Sequence, residues 1–582
     1  MSEPTPAKPL TKNEHLKTAH PTLDGAIRET LADANAVRFT EDDEQFIKFH
    51  GMYQQDDRDK RKVGKEYSVM VRTRQTGGIT SAETYLVYDE IAGKYANGTL
   101  RLTTRQTFQF HGVVQSKIGR LIKAIHEALS TTLATCGDVN RNVLFPSIPT
   151  ASNAQKQIEK DAFELTNALL PAATSYHSIW VDGHPLNLSD EIQTLKAIPK
   201  DAPNPYAPPP ADHDEAGNPV DPLYGKTYLP RKFKIAFALP GVNDVDLFAN
   251  DLGFVAVVEN DEVVGYNLTA GGGLGTSHGN KETYPRLADI VCFIPRARLI
   301  DAAKAVVTIH RDFGDRTNRK HARIKYVLQE KGVEWFRSEL AERLGGPLAP
   351  SRPFSFHRQG DTYGWGKALD GSWHLTVYVP SGRIKDEGDY RLRTALREIV
   401  GKYKPEFRCT AFQNFILCGI KESDKAAVEA AFLAHGVDPL SRVHAIRKNS
   451  MACVSLPTCG LALAEAEREM PAILTEIEGL LDRAGIPQED IIIRATGCPN
   501  GCARPYLAEI GFVGRAPGKY NLLLGADGSG TRLNKIYKEN VKREDFAAEL
   551  LPLFTRFKSE RRDAAERFGD FANRVLLPEA GK

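Results

Sequence analysis

Alternation of apolar and polar positions marks the clearest strands in this chain. Tyr67-Ser-Val-Met-Val-Arg-Thr-Arg74 alternates with period two and runs into Gln75-Thr-Gly-Gly78, which predicts a strand ending in a turn. Thr99–Arg105, continuing through Gln106–Gly112, and Arg231–Leu239 give two further strand signals. Helical spacing predicts helices over 116–130, 155–170, 296–311, 329–344, 389–402, 421–435 and 460–484. Eight prolines fall between Pro199 and Pro222, so that stretch holds neither a helix nor a central strand and reads as a surface loop. Residues 1–35 are polar and proline-bearing and read as a flexible arm.

An internal repeat organises these elements. Leu100–Val113 (LRLTTRQTFQFHGV) aligns without gaps to Phe407–Ile420 (FRCTAFQNFILCGI), an offset of 307 (407 − 100). Arg101 falls on Arg408, Thr103 on Thr410, Gln106 on Gln413, Phe108 on Phe415 and Gly112 on Gly419, and each segment precedes a predicted helix. Strands and helices alternate without a tight βαβ rhythm. The expected fold is therefore α+β, with mixed or antiparallel sheets in two related halves about a pseudo-twofold axis.

With 582 residues the chain is expected to form about three to four domains. A net charge of +2 lends no support to nucleic-acid binding. The first residues lack an apolar core of the signal-peptide kind, and no run of 18 apolar residues occurs, so the expected setting is the cytoplasm with no membrane span.

The chemistry concentrates near the C-terminus. Four of the eight cysteines form two pairs, Cys453 with Cys459 and Cys498 with Cys502, flanked by Gly and Pro where a packed cysteine would have aliphatic neighbours. Thiols gathered this way point to a metal or an iron–sulfur cluster. Spacing alone leaves structural zinc open, although x5 between the first two fits a zinc knuckle poorly. Cations recur at same-face spacing on strands: Arg72 with Arg74, Arg101 with Arg105, Lys232 with Lys234; Arg141 and Arg231 join them. Such a set suits a small oxyanion or a polycarboxylate. Gly271-Gly-Gly273 permits backbone to lie against a planar ligand or simply to turn, and no phosphate loop or dinucleotide fingerprint accompanies it. With no flavin or nicotinamide motif, a redox enzyme of this sequence takes its electrons from another protein.

Taken together, the C-x5-C pair, Thr496-Gly-Cys-Pro-Asn-Gly-Cys502, Asn140-Arg-Asn142 and Leu229-Pro-Arg-Lys-Phe-Lys234 resemble the sulfite and nitrite reductases that contain siroheme and a [4Fe–4S] cluster. His50-Gly-Met-Tyr-Gln-Gln-Asp-Asp-Arg58 and Glu566-Arg-Phe-Gly-Asp-Phe571 narrow the likeness to hemoprotein subunits of NADPH-dependent sulfite reductases, over about residues 40–575. The resemblance implies ferredoxin-like repeats at 36–130 and 346–437, a siroheme and substrate domain at 131–345, and a cluster and siroheme domain at 438–582. It implies Cys453, Cys459, Cys498 and Cys502 as cluster ligands, with Cys502 also bridging to the siroheme iron. Sulfite would be bound by Arg72, Arg141, Lys232 and Lys234. Siroheme would be met by Arg101, Thr103, Arg105, Gln109, His111, Arg231, Gln413 and Asn500, with Gly271, Gly272 and Gly273 against the macrocycle.

The implied reaction is the six-electron reduction of sulfite to sulfide. A flavoprotein partner carrying FAD and FMN would supply electrons from NADPH, and the N-terminal arm is a docking element for it by resemblance alone. Nitrite as substrate and ferredoxin as donor are alternatives within the family. A zinc-stabilised binding protein is the alternative of another class.

Overall fold

The computed structural model of the chain describes residues 8–172, 174–182 and 188–580. Two five-stranded antiparallel sheets lie at its centre. Met52–Asp56, Tyr67–Arg72, Phe108–Val113 and Leu100–Leu102 form the first, and Arg383–Ile384 from the other half completes its edge. Gly364–Lys367, Trp373–Val377, Phe415–Ile420 and Glu406–Cys409 form the second, completed by Ile79–Thr80 from the first half. Each repeat thus lends a two-residue strand to its counterpart. A shared core follows: the rings of Tyr85 and Phe407 stack at 4.7 Å, and Phe108 lies 5.4 Å from Phe407.

The repeat is a repeat of conformation. Gln106 and Gln413 both take left-handed backbone, with φ of 53° and 70°. Matching hydrogen bonds close the two turns: Thr103 N to Thr107 O at 3.0 Å, and Thr410 N to Asn414 O at 2.9 Å. That conformation costs about 1–3 kcal/mol in a residue other than glycine, and the side chains offset it. Gln106 Nε2 donates to Phe145 O (2.9 Å) while its Oε1 accepts from Phe145 N (3.2 Å). Gln413 grips Ala452 in the same way, at 2.9 and 3.3 Å. The same clamp therefore reaches 39 residues down the chain in both halves, and in the second it seizes the residue before Cys453.

Each half also carries a mixed sheet. Ile235–Ala238 runs parallel to Leu252–Glu259, and Glu262–Ala270 and Asp289–Pro295 follow antiparallel. In the second half Ser450–Ala452, Ile493–Thr496 and Ile510–Ala516 are parallel, with Lys519–Leu524 and Lys535–Lys542 antiparallel beyond them. The α+β architecture with two related halves is as expected. Among the described residues no helix is long and apolar enough to cross a membrane.

Several local expectations are corrected. The helix expected over 460–484 begins only at Met470, and 329–344 is two helices, Ile324–Lys331 and Val333–Leu344, divided at Gly332. The strand signal at Arg231–Leu239 shrinks to Ile235–Ala238, and that at Thr99–Arg105 to Leu100–Leu102. The arm is largely folded. Residues 1–7 lie outside the described residues, but helices span Lys12–Ala19 and Ile27–Ala32, and Leu23 and Ile27 are fully buried. Polarity misled because the charges are themselves buried: Lys17 lies 2.6 Å from Glu14 and donates to Leu229 O at 2.9 Å.

Gln106→Ala is expected to strand the N–H and C=O of buried Phe145 and to cost about 2–6 kcal/mol, from about 1–3 kcal/mol per orphaned group. Chemical denaturation of the mutant and the parent checks this; a loss under about 0.5 kcal/mol would contradict the clamp.

Candidate active site between the two halves

Cations line the first-half side of the cleft. The lead-in to strand Ile235–Ala238 carries Arg231, Lys232 and Lys234, and it is pinned by Arg141 N donating to Phe233 O at 2.9 Å. The Lys232 and Lys234 side chains are half-buried and make no hydrogen bond or ion pair among the described residues. Burial pushes both ammonium groups well below their usual range, helped at Lys232 by Lys234, Arg141 and Arg231 and at Lys234 by Arg323 and Arg105. Arg105 donates to Asn250 Oδ1 at 2.6 Å and to Ile235 O at 3.1 Å, and Arg141 to Tyr53 Oη at 3.3 Å. The Nε atoms of both, and Nδ1 of His111, are buried without a hydrogen-bond partner. Arg72 donates to Cys136 Sγ at 3.4 Å and, with the Gln109 amide turned so that its oxygen faces the guanidinium, to that oxygen at 2.5 and 3.1 Å.

A single buried carboxylate anchors the outer part of this cluster. Asp138 is paired bidentately with Arg319 (2.7 and 3.0 Å) and lies 3.7 Å from Lys17 and 4.0 Å from Arg231. Burial raises its carboxyl, but Arg319, Lys17 and Arg231 overcome that and hold it well below the usual 3.8.

Opposite stand the cysteine loops of the second half. All eight cysteines are free thiols. Cys453 follows strand Ser450–Ala452, and Cys498 follows strand Ile493–Thr496, its parallel neighbour. The two loops interlock at Gly497: its N–H points to Cys453 Sγ at 3.3 Å, and a Cβ there would stand 1.8 Å from Ser455 Oγ. Asn500 Nδ2 donates to Cys498 Sγ at 3.5 Å. Burial and the charges of Cys502, Cys459 and Cys498 raise the Cys453 thiol far above its usual range, and Cys498 is pushed up to about 12. Thiols raised in this way give up their protons readily only to a multivalent cationic group placed among them. No three His, Cys, Asp or Glu side chains among the described residues are gathered for a single metal ion.

The two sides meet directly. Thr104 Oγ1 donates to Cys502 O at 3.1 Å, and Thr276 N to Pro499 O at 3.0 Å. Asp246 of the first half lies 2.8 Å from Arg494 and 2.7 Å from Arg504, buried on both sides of the Cys498–Cys502 loop. The first half thus offers cations with spare donors, and the second half a loop of cysteines in contact with it. That donor set fits a polycarboxylate macrocycle beside an iron–sulfur cluster.

The structure brings Arg72, Arg105, Gln109, His111, Arg141, Arg231, Lys232 and Lys234 into this region, but uses other expected residues differently. Arg101 is fully buried and spent on Glu467 and Ala452 O, each at 2.7 Å. Thr103 binds Thr107 at 2.8 Å, and Gln413 holds Ala452. Arg74, expected on the face of Arg72, is buried against Leu133 O and Ala134 O. Gly271, Gly272 and Gly273 have a reason that needs no ligand: a Cβ would meet Leu328 at 2.8 Å, Phe248 O at 2.2 Å and Arg323 at 2.6 Å respectively.

Sequence reasoning missed Arg323 and Lys325. Arg323 grips Asp251 (2.6 Å) and Gly272 O (3.2 Å). Lys325 is held by the carbonyls of Gly273 and Gly275, at 3.1 and 3.0 Å, and burial beside Arg323 pushes it down to about 7. The signal was present in Arg319-Lys-His-Ala-Arg-Ile-Lys325, a cationic run at a helix N-terminus, where the helix dipole disfavours positive charge.

Comparison with known proteins gives this arrangement a class. The family model described as nitrite and sulphite reductase 4Fe-4S domain matches residues 164–348. The model for the nitrite/sulfite reductase ferredoxin-like half domain matches twice, at 60–128 and 367–435, again an offset of 307 (367 − 60). The chain belongs to the nitrite and sulphite reductase family, oxidoreductases that carry siroheme and a [4Fe–4S] cluster. Curated relatives named sulfite reductase [NADPH] hemoprotein beta-component include that of Myxococcus xanthus, 46% identical over 98% of this chain and 97% of the relative. That of Methylobacterium nodulans is 46% identical over 99% and 92%, and that of Geobacillus kaustophilus 44% over 98% and 96%. The structure of the Mycobacterium tuberculosis NirA protein shares the fold, with a TM-score of 0.74 at 23% identity, covering 98% of this chain and 97% of that one.

Asp138→Asn removes the anion shared by Arg319, Lys17 and Arg231 and is expected to cost about 3–5 kcal/mol, as for a broken buried ion pair. Because the Asp138 pKa is depressed on folding, its contribution is present above 3.8 and is lost as the pH falls below it. The gap between parent and mutant in denaturation midpoint should therefore close on acidification; a gap constant with pH would contradict the assignment.

Proposed function

We propose that the protein reduces sulfite to hydrogen sulfide, receiving electrons from a flavoprotein partner that oxidises NADPH. The observation that carries the reading is the cation cluster in which Lys232 and Lys234 stand unpaired, on the half whose Thr104 bonds the Cys502 loop of the other half. The names of the curated relatives favour sulfite and an NADPH-linked donor. Cysteines outside any disulfide suit a reducing compartment such as the cytoplasm.

In this reading Cys453, Cys459, Cys498 and Cys502 would hold the cluster, and the exposed Cys502 would also serve the siroheme. Arg105, Arg231 and Arg323 meet the macrocycle's carboxylates, with Gln109, His111 and Asn500 at its margin. When bound, the siroheme and cluster would supply the electrons for the reduction. The protein's own residues do the rest.

Arg72 and Arg141 hold the oxyanion by charge-assisted hydrogen bonds and keep their protons. Lys232 and Lys234 are acidified by burial and by their cationic neighbours, so each can give a proton to an oxygen as negative charge builds on it. Sulfite takes up six electrons and seven protons, releasing HS⁻ and three waters, so repeated proton delivery governs the reaction as much as electron supply does.

Lys232→Ala and Lys234→Ala are each expected to retain siroheme and iron while sulfite turnover falls about 10- to 100-fold, from about 1.5–3 kcal/mol per charged hydrogen bond. Parental rates in fully loaded variants would overturn these roles for the two lysines. A higher kcat/KM for nitrite than for sulfite would shift the substrate within the family. Cys502→Ser is expected to lose siroheme and iron–sulfur absorbance together, and loss of neither would refute the shared thiolate.

A further inference from the structure

The exchange of strands between the halves creates an electrostatic problem beside the first cluster ligand. In the antiparallel pairing of Arg383–Ile384 with Leu100–Leu102, Arg383 stands directly opposite Arg101. Like charges so placed repel, and both side chains are largely buried, at 12% and 2% exposure. One carboxylate joins them. Glu467 accepts from Arg101 Nη1 at 2.7 Å and from Arg383 Nε and Nη2 at 2.7 and 3.0 Å.

The same residue touches the cysteine loop through its backbone, since Glu467 N donates to Cys453 O at 3.1 Å. Arg101 Nη2 donates to Ala452 O at 2.7 Å, so the carbonyls on both sides of the Cys453 nitrogen-to-carbon span are tied to one ion triad. Arg383 reaches Thr99 Oγ1 at 3.2 Å, which closes the triad against the first half. Burial works against the charge on Arg101, while Glu467 and the Cys453 thiolate favour it.

We propose that Glu467 is a positioning residue that fixes the Cys453 ligand and sets the reduction potential of the cluster by neutralising one of the two arginines beside it. The inference rests on the reading of Cys453 as a cluster ligand. Reduction adds negative charge to the cluster, so a nearby cation favours the reduced form and a nearby carboxylate opposes it. The triad carries two positive charges and one negative. Removing Glu467's charge and removing Arg383's charge therefore act in opposite directions, which mere loosening of the loop would not produce.

The test is a redox titration of purified holoprotein, followed by electron paramagnetic resonance of the reduced cluster, with iron and sulfide content measured in parallel. Glu467→Gln should raise the cluster's potential, and Arg383→Gln should lower it, each by about tenfold in the one-electron equilibrium constant, about 59 mV. Glu467→Asp should restore a value near the parent's. If Glu467→Gln does not retain its cluster, Arg383→Gln decides alone: a downward shift supports the proposal and an unchanged potential overturns it. Shifts of the same sign in both variants, or none in either, would also overturn it. Absence of iron and sulfide from the parent protein would instead sink the cluster reading itself.

Discussion

The structure depends on how each half grips the other. A two-residue strand crosses from each repeat into the sheet of its counterpart, and an identical glutamine clamp in each half reaches forward to seize one residue by both its N–H and its C=O. In the first half the seized residue is Phe145, which packs into the core. In the second it is Ala452, the residue before Cys453. A feature that serves stability in one copy thus serves ligand placement in the other, and duplication supplies both at once.

The cleft that results is electrostatically incomplete. Burial forces Arg105, Arg231, Lys232 and Lys234 below their usual pKa ranges, and they crowd one another with too few carboxylates to offset it. Across the cleft, burial and mutual repulsion drive the thiols upward. Each wall is strained toward losing its charge, and each is relieved by the group proposed for it: a polyanion against the cations, a metal cluster among the thiolates. Ligands that bind only the folded chain stabilise it, so cofactors of this kind would add to its stability.

Much of the architecture was legible in the chain. The alignment of LRLTTRQTFQFHGV with FRCTAFQNFILCGI marked the duplication, because in both copies the turn carries a left-handed glutamine and the following strand a positive-φ glycine. The cysteine spacing and the basic lead-in at Arg231–Lys234 marked the two walls. What escaped were effects of long-range contact. Period-two spacing put Arg74 beside Arg72, but the strand ends at Arg72 and Arg74 turns into the core. Arg101 looked available, yet Glu467 lies 366 residues away in sequence and takes its charge. The polar arm looked mobile, since nothing local shows that Lys17 and Glu14 complete a buried network around Asp138. Glycines 271–273 suggested a ligand when packing against Phe248, Arg323 and Leu328 already requires them.

The central proposal is that one thiolate, Cys502, would be shared by cluster and siroheme at the junction of the halves. A Mössbauer spectrum of oxidised holoprotein enriched in the Mössbauer isotope of iron tests it most directly. An oxidised [4Fe–4S] cluster is diamagnetic alone, so a bridge to paramagnetic siroheme iron predicts magnetic splitting at the cluster's iron sites. A plain diamagnetic cluster signal beside an independent siroheme signal would contradict the account.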